Sequence, residues 1–385
     1  MIQLKDICDI YDCPHTTAKD EGKGYPLVRT PNVGKGRLIL DGIHRVSEDV
    51  YNSRNARAIP EEGDLILARE APVGNVSIIM DGQRVCLGQR VVLIKPKREL
   101  VDPHFLTYYL LSAEVQHRLK NHANGAVVAH LNVSDIRNLW VTLPELEEQV
   151  AIGKILRSID DKIELNRQIN DNLEQQAQAA FNNIIANTTS DKTVQLSEIA
   201  WLNPKRSISK GKVVRSIEMA HLPTTGSFPS GWEMKEYNGG MKFQNGDTLM
   251  ARITPCLENG KVAFVNFLED DEIAFGSTEY ITMTPKRQFA PEVLYFLVRN
   301  AEFIDFAVKN MNGSSGRQRV SADTIGTFEL PDITLEELHM LETIAREALT
   351  KIKYNSLENM ILAEMRDTLL PKLMSGELKI NEIDC

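Results

Sequence analysis

Between residues 146 and 185, apolar side chains recur at steps of three and four: Ile152, Leu156, Ile159, Ile163, then Leu173, Ala177, Ala180 and Ile184. Asn166 and Asn170 fall on the same stripe. The pattern returns 189 residues later, between 335 and 373, as Leu341, Ala345, Ala348, Ile352, Leu362, Arg366, Leu369 and Leu373, with Asn355 and Asn359 on the stripe. A sustained repeat of 3.5 residues predicts two long helices wound around one another. Asn on such a seam lowers stability but fixes register, the alternative being that these Asn lie on the open face of a surface helix. At 1.5 Å per residue, about 40 residues make a rod of about 60 Å, a length suited to a spacer.

Elsewhere the pattern is shorter. Apolar runs at 65–68, 91–94, 248–251 and 280–283 are bounded by Gly, Pro and Asp and predict strands. A helix is expected after each pair, over 103–121 and 291–310. These elements belong to a repeat. EGDLILAREAPVGNV from Glu62 aligns with NGDTLMARITPCLENGKV from Asn245, superposing Gly63, Asp64, Ala68, Arg69 and Pro72 on Gly246, Asp247, Ala251, Arg252 and Pro255. LGQRVVLIKPKR from Leu87 then matches FGSTEYITMTPKR from Phe275, and DPHFLTYYLLS from Asp102 matches APEVLYFLVRN from Ala290. LPELEEQ from Leu143 matches LPDITLEEL from Leu330. Order and spacing hold through four blocks, so each half is one copy of a unit of about 190 residues.

The expected fold is α+β: two similar α/β globules separated by two long helices that form an antiparallel coiled coil, with internal pseudo-twofold symmetry. The first globule spans 1–143, a central helix 144–187, the second globule 188–330, and a closing helix and tail 331–385.

Charge changes this picture little. The net of −9 over 385 residues is unevenly spread. Residues 1–143 hold 18 basic against 17 acidic side chains, and 188–330 hold 16 against 17. The acidity sits on the helical pieces, with 4 against 8 and 6 against 11. A near-neutral globule can still present one basic face. Five cysteines (Cys8, Cys13, Cys86, Cys256 and Cys385) make no CxxC pair and read as reduced thiols of a cytoplasmic protein. Lys5, Asp6 and Asp9 exclude a signal peptide at the N-terminus, and no apolar run approaches the roughly 20 residues of a membrane span.

Catalytic motifs are missing. There is no GxxxxGKS or GxxxxGKT phosphate loop, and Gly34-Lys35-Gly36 lacks the third glycine of a dinucleotide fingerprint. Asn203-Pro204-Lys205-Arg206 lacks the second proline and the aromatic of an adenine methyltransferase tetrapeptide. His117 and His122 stand five apart, which does not put both on one helical face for zinc, and read as surface or capping residues. Asp64 and Asp247 sit in turn-like Gly-Asp pairs and read as structural. Asp160-Asp161-Lys162 reads as a solvated face of the long helix.

Cations in loops are the candidate nucleic-acid contacts. Lys205, Arg206, Lys210, Lys212 and Arg215 lie within eleven residues, spaced by Ser and Gly. The first unit offers Arg29, Lys35 and Arg37, then Arg45, Arg54 and Arg57, while GSSGRQR places Arg317 and Arg319 in another loop. Such side chains reach phosphates, and Arg can also fork onto guanine edges; each is otherwise a solvated charge. Arg69 and Arg252 fit a contact or a structural ion pair equally well.

Three blocks carry a family resemblance: GDTLMARITPCLENGKVAF from Gly246, FGSTEYI from Phe275 and LLPKLMSGEL from Leu369. Together with LNPKR at Leu202 and LPELEEQ at Leu143, they resemble specificity subunits of type I restriction-modification systems. The likeness runs the length of the chain and is looser in the first half. It implies a subunit without catalysis or cofactor of its own that binds double-stranded DNA with a bipartite target, one half per globule. It further implies docking of two modification subunits carrying S-adenosylmethionine and two restriction subunits using ATP and Mg, with no membrane partner. The alternatives are a specificity subunit of an orphan or combined type II methyltransferase, a coiled-coil protein scaffold, and a self-sufficient methyltransferase or nuclease, which the missing motifs disfavour.

Overall fold

The computed structural model describes residues 1–122, 130–188, 190–286, 289–314 and 316–380; Cys385 and the side chain of His122 lie outside them. The chain divides into two compact units, one of Met1–Lys162 with the segment from Leu362 onward, the other Ile163–Ile361. The division cuts both long helices, so it does not follow the borders between globule and helix.

In the first unit a five-stranded sheet runs in the order Cys8–Asp12, Val91–Pro96, Leu65–Ala68, Val76–Ile78, Gly36–Arg37. Its neighbours are antiparallel except the last pair, which is parallel. A three-stranded sheet places Tyr25–Val28 between Arg45–Val46 and Cys86–Leu87. The run LILA at Leu65–Ala68 is wholly buried because both of its faces are covered. Leu65 and Leu67 join the cluster around Phe105 and Leu156, while Ile66 and Ala68 join the one around Val28 and Ile79. That split is the period of two of a strand.

The second unit repeats the scheme. Its four-stranded sheet runs Ala200–Leu202, Tyr280–Pro285, Thr248–Ala251, Val262–Phe264, and a second runs Glu233–Glu236, Val213–Ile217, Ala274–Gly276, Met241–Phe243. Met250 packs toward the helix-side core, Leu249 and Ala251 toward the other. Each unit contains one parallel pairing of matched strands, Val28 on Leu87 and Ile217 on Gly276.

The single helices expected at 103–121 and 291–310 are each two. The first divides into Pro103–Leu111 and Ala113–His122, the second into Pro291–Val298 and Ala301–Lys309. Ser112 turns to extended backbone, and its hydroxyl donates to the Tyr109 carbonyl. Asn300 is extended and caps the next helix, its Oδ1 accepting from the Glu302 and Phe303 amides. In both copies a small polar residue offers the chain ends a better partner than a continued helix would.

The long helices run Leu146–Asn187 and Leu335–Ser375. Within the second unit Asn166 bonds Asn359 at 2.9 Å and Asn355 bonds Asn170 at 2.8 Å. A rising number meets a falling one, so the pairing is antiparallel. Asn166 and Asn355 are buried, Asn170 and Asn359 half-buried, and toward the helix end Phe181 is buried where the heptads named Ala180. In the first unit Leu156 and Leu373 share a core, with Leu369 packed against it.

One expectation for the helix is corrected. Asp160 is buried and accepts from Tyr108 and Arg366, so it is no solvated residue. No described helix is long and apolar enough to cross a membrane. Cys8, Cys13 and Cys86 are buried free thiols and Cys256 a partly exposed one; burial pushes Cys8 up to about 12 and Cys86 up to about 11.

Candidate nucleic-acid interface

The cations named from the sequence separate by what already holds them. Arg54, Arg69 and Arg206 are interior. Arg54 donates to the carbonyls of Leu87 at 2.6 Å and Thr16 at 2.9 Å, tying the helix Glu48–Arg54 to a strand end. Arg69 bonds the Leu131 carbonyl, Asp12 at 2.8 Å and the His130 ring at 2.7 Å. Arg206 donates to Asp247 at 2.8 Å and to the Thr284 hydroxyl at 2.9 Å. These three arginines serve the scaffold, because a buried guanidinium with its donors used cannot turn outward cheaply.

The two Gly-Asp turns explain one of them. Asp64 accepts from the Glu61 amide and Asp247 from the Gln244 amide, each at 2.8 Å. Lys95 then pairs with Asp64 at 2.6 Å, whereas Thr284 stands at the matching strand position and Arg206 supplies the cation to Asp247. Burial pushes both carboxyls above the usual range, against the pull of those partners.

A second group is partly exposed and ion-paired. Arg37 bonds Asp161. Arg215 reaches Glu272 at 2.5 Å and Glu269 at 3.3 Å and lies 5.4 Å from the Trp232 ring centre. Arg252 and Arg319 share Glu279, at 3.2 and 2.7 Å, and hydrogen bonds from Arg319, the larger influence, and Arg252 hold that carboxyl below the ordinary range. Arg29 is half-buried, its Nε without a partner among the described residues.

The remaining candidates face outward. Arg45 and Arg57 are exposed, and among the described residues their guanidinium groups bond only the carbonyls of Gly24 and Asp12. Lys35, Lys205, Lys210, Lys212 and Arg317 are exposed, and their side chains have no partner among the described residues. Local geometry presents them. Gly211 takes φ +81°, open to glycine, and its amide bonds the Tyr237 carbonyl while the Tyr237 amide returns to Lys212. Lys210 and Lys212 thereby stand beside Tyr237 at the edge of a sheet. Arg317 sits at the tip of a loop closed by reciprocal backbone bonds between Asn312 and Arg319.

Two members of this surface were not found in the sequence. Lys242 Nζ lies 5.0 Å from the Tyr237 ring centre, extending the strip from Lys210 and Lys212. In the first unit exposed Arg84 lies 5.1 Å over Tyr25 and 5.7 Å over Tyr51, which stack on one another. Arg84 meets rings from a strand and a helix more than 30 residues earlier, so no local run announces that contact, whereas Lys242 and Tyr237 lie five residues apart and meet because the chain turns back between two strands.

Residues 1–175 match a family model described as the type I restriction modification DNA specificity domain. The chain is 21% identical to the HindI specificity subunit of Haemophilus influenzae over 84% of this chain and 88% of that one. It is 24% identical to the MjaIX specificity subunit of Methanocaldococcus jannaschii over 99% and 94%. Matches to two further relatives from that archaeon span only 40% and 44% of those proteins. A crystal structure of the type I restriction-modification S subunit from M. genitalium shares the fold, with a TM-score of 0.59 and 16% identity over 97% of this chain and 95% of that one. Residues 1–175 thus match the type I restriction modification DNA specificity domain, and the whole chain is similar to type I restriction-modification specificity subunits.

Proposed function

We propose that the chain is the sequence-reading subunit of a type I restriction-modification complex and binds a bipartite double-stranded DNA target, one half per globule. The observation that carries this is the repetition of one scaffold with unlike outward residues. Both copies keep the buried strands and Gly-Asp turns, whereas the second exposes Lys210 and Lys212 beside Tyr237, with half-buried Lys242 next to that ring, and the first exposes Arg84 over Tyr25. Cations of this kind contact phosphates, and differing loop side chains at base edges give each globule its own half-site. The long helices set the gap between the half-sites and dock two modification subunits, which bring S-adenosylmethionine and methylate adenine. Two restriction subunits join them and use ATP and Mg. The complex works in the cytoplasm.

Single-molecule sequencing of methylated adenines, with and without this gene, tests the reading. It requires a two-part motif with a fixed gap that vanishes on deletion. A motif that persists without the gene, or one without a gap, overturns it.

A further inference from the structure

Each globule is tied to the long helices by polar contacts inside its own unit, and they are of two kinds. One kind follows the repeat. His104 bonds Arg157 on the first long helix at 2.9 Å, and 189 residues further along the chain Arg346 on the second long helix pairs with Glu292 at 3.6 Å. His104 and Glu292 are matched residues, each directly after the proline that opens its helix.

The other kind breaks the repeat. Tyr108 donates to Asp160 at 2.6 Å, and Asp160 accepts from Arg366 at 2.8 Å. Tyr295 donates to Glu174 at 2.6 Å, with the Arg299 guanidinium 3.7 Å from that carboxylate. Superposing Pro103 on Pro291 places Tyr108 one position beyond Tyr295, about 100° further round the helix. Both carboxylates nevertheless lie on Leu146–Asn187. The first globule is therefore held by the helix that follows it, and the second by the helix that precedes it. Glu174, Gln178 and Asn182, spaced by four on one helical face, meet Tyr295, the Phe296 carbonyl and Asn300 in turn.

Packing alone does not call for these hydroxyls. Phe105 and Phe296 sit beside them in the same cores. Burial raises both phenols far above their ordinary range and Glu174 above its own, so each hydroxyl keeps its proton to donate. A short bond between buried partners prefers one orientation, unlike an apolar contact, which tolerates sliding.

We propose that Tyr108–Asp160 and Tyr295–Glu174 are latches setting the angle of each globule on its helices, which makes Tyr108 and Tyr295 positioning residues for the spacing of the half-sites. The inference rests on the proposed function. A globule released from its latch keeps its base-reading loops and accepts its half-site over a range of positions.

The test uses the natural complex in cells carrying Tyr108→Phe, Tyr295→Phe or both, with methylated adenines mapped genome-wide. The expected result is unchanged half-sites, with methylation at gaps one base pair longer or shorter rising to at least a tenth of that at the normal gap. A merely structural role would lower methylation at every gap alike. Glu174→Gln, which keeps an accepting oxygen, should retain the normal gap. If Tyr295→Phe abolishes methylation, Tyr295→Phe with Glu174→Met removes the stranded carboxylate as well, and its gap decides: a relaxed gap supports the latch and a normal one overturns it. Normal gaps in all the Phe variants also overturn it. A wild-type chain directing no two-part motif overturns the underlying function instead.

Discussion

Asn355 donates to Asn170 at 2.8 Å across the seam of the two long helices, both side chains shielded by flanking Ile352 and Leu173. Asn170→Ala leaves the Asn355 amide, only 3% exposed, without that acceptor. An orphaned buried donor costs about 1–3 kcal/mol, which for a unit of this size lowers the melting temperature by about 2–4 °C per kcal/mol. Replacing both Asn by Leu should recover the stability while loosening register, because apolar seams tolerate sliding. Calorimetry of the three forms checks this, and a double variant less stable than the single would contradict it.

The seam was legible because heptads are a local, periodic signal. The same holds for Leu65–Ala68 and Thr248–Ala251, whose apolar runs sit between turn residues. Partnerships across the fold were not legible. Asp160 reads as a helix-surface acid until Tyr108, 52 residues away, is folded against it. Arg54 and Lys212 look alike in the sequence; one is enclosed by carbonyls and the other is not. The helix breaks at Ser112 and Asn300 were missed because an apolar stripe continues across them and only the capping bonds favour the break.

Arg206→Met should strand Asp247, since the pair is buried on both sides. Breaking such a pair costs about 3–5 kcal/mol. The Asp247 carboxyl already lies above 3.8 through burial, with Arg206 pulling it down. A carboxyl raised on folding contributes stability that is fully present below the unfolded value and is lost as pH rises through the folded value. Removing Arg206 raises the folded value further, so the deficit of the variant should grow with pH from about pH 4 upward. Urea titrations across pH 4–7.5 read this directly, and adding Asp247→Asn should flatten the dependence. A deficit independent of pH would show that Asp247 is not its source.

Lys210→Ala with Lys212→Ala should weaken DNA binding by the assembled complex about equally for all sequences. Each lost phosphate contact lowers the slope of log affinity against log salt by about 0.9. Arg54→Ala should instead lower thermal stability and leave the slope alone, because its guanidinium is spent on carbonyls. Binding isotherms at several salt concentrations separate the two. An unchanged slope in the lysine variant would remove that strip from the interface.

Exchanging residues 1–143 for those of a similar specificity subunit should change one half of the methylated motif and leave the other half and the gap intact. Among the described residues the two globules share no sheet, and each has its own cores. A change in both halves would mean that one half-site is read jointly.

Helix length should set the gap, but only if both helices change together. Asn166 meets Asn359, and the Asn359 amide also reaches the Ile163 carbonyl, so a residue added to one helix alone displaces every partner beyond it. Seven residues inserted after Ile163 and seven more before Leu362 restore the 3.5-residue phase. Two extra turns at 1.5 Å per residue add about 10 Å, which is about three base pairs at 3.4 Å each. Methylome sequencing should then find the same half-sites with a gap about three base pairs longer, whereas insertion in the first helix alone should abolish methylation by breaking the Asn register. A longer gap from the one-sided insertion would mean that the second helix does not share the load.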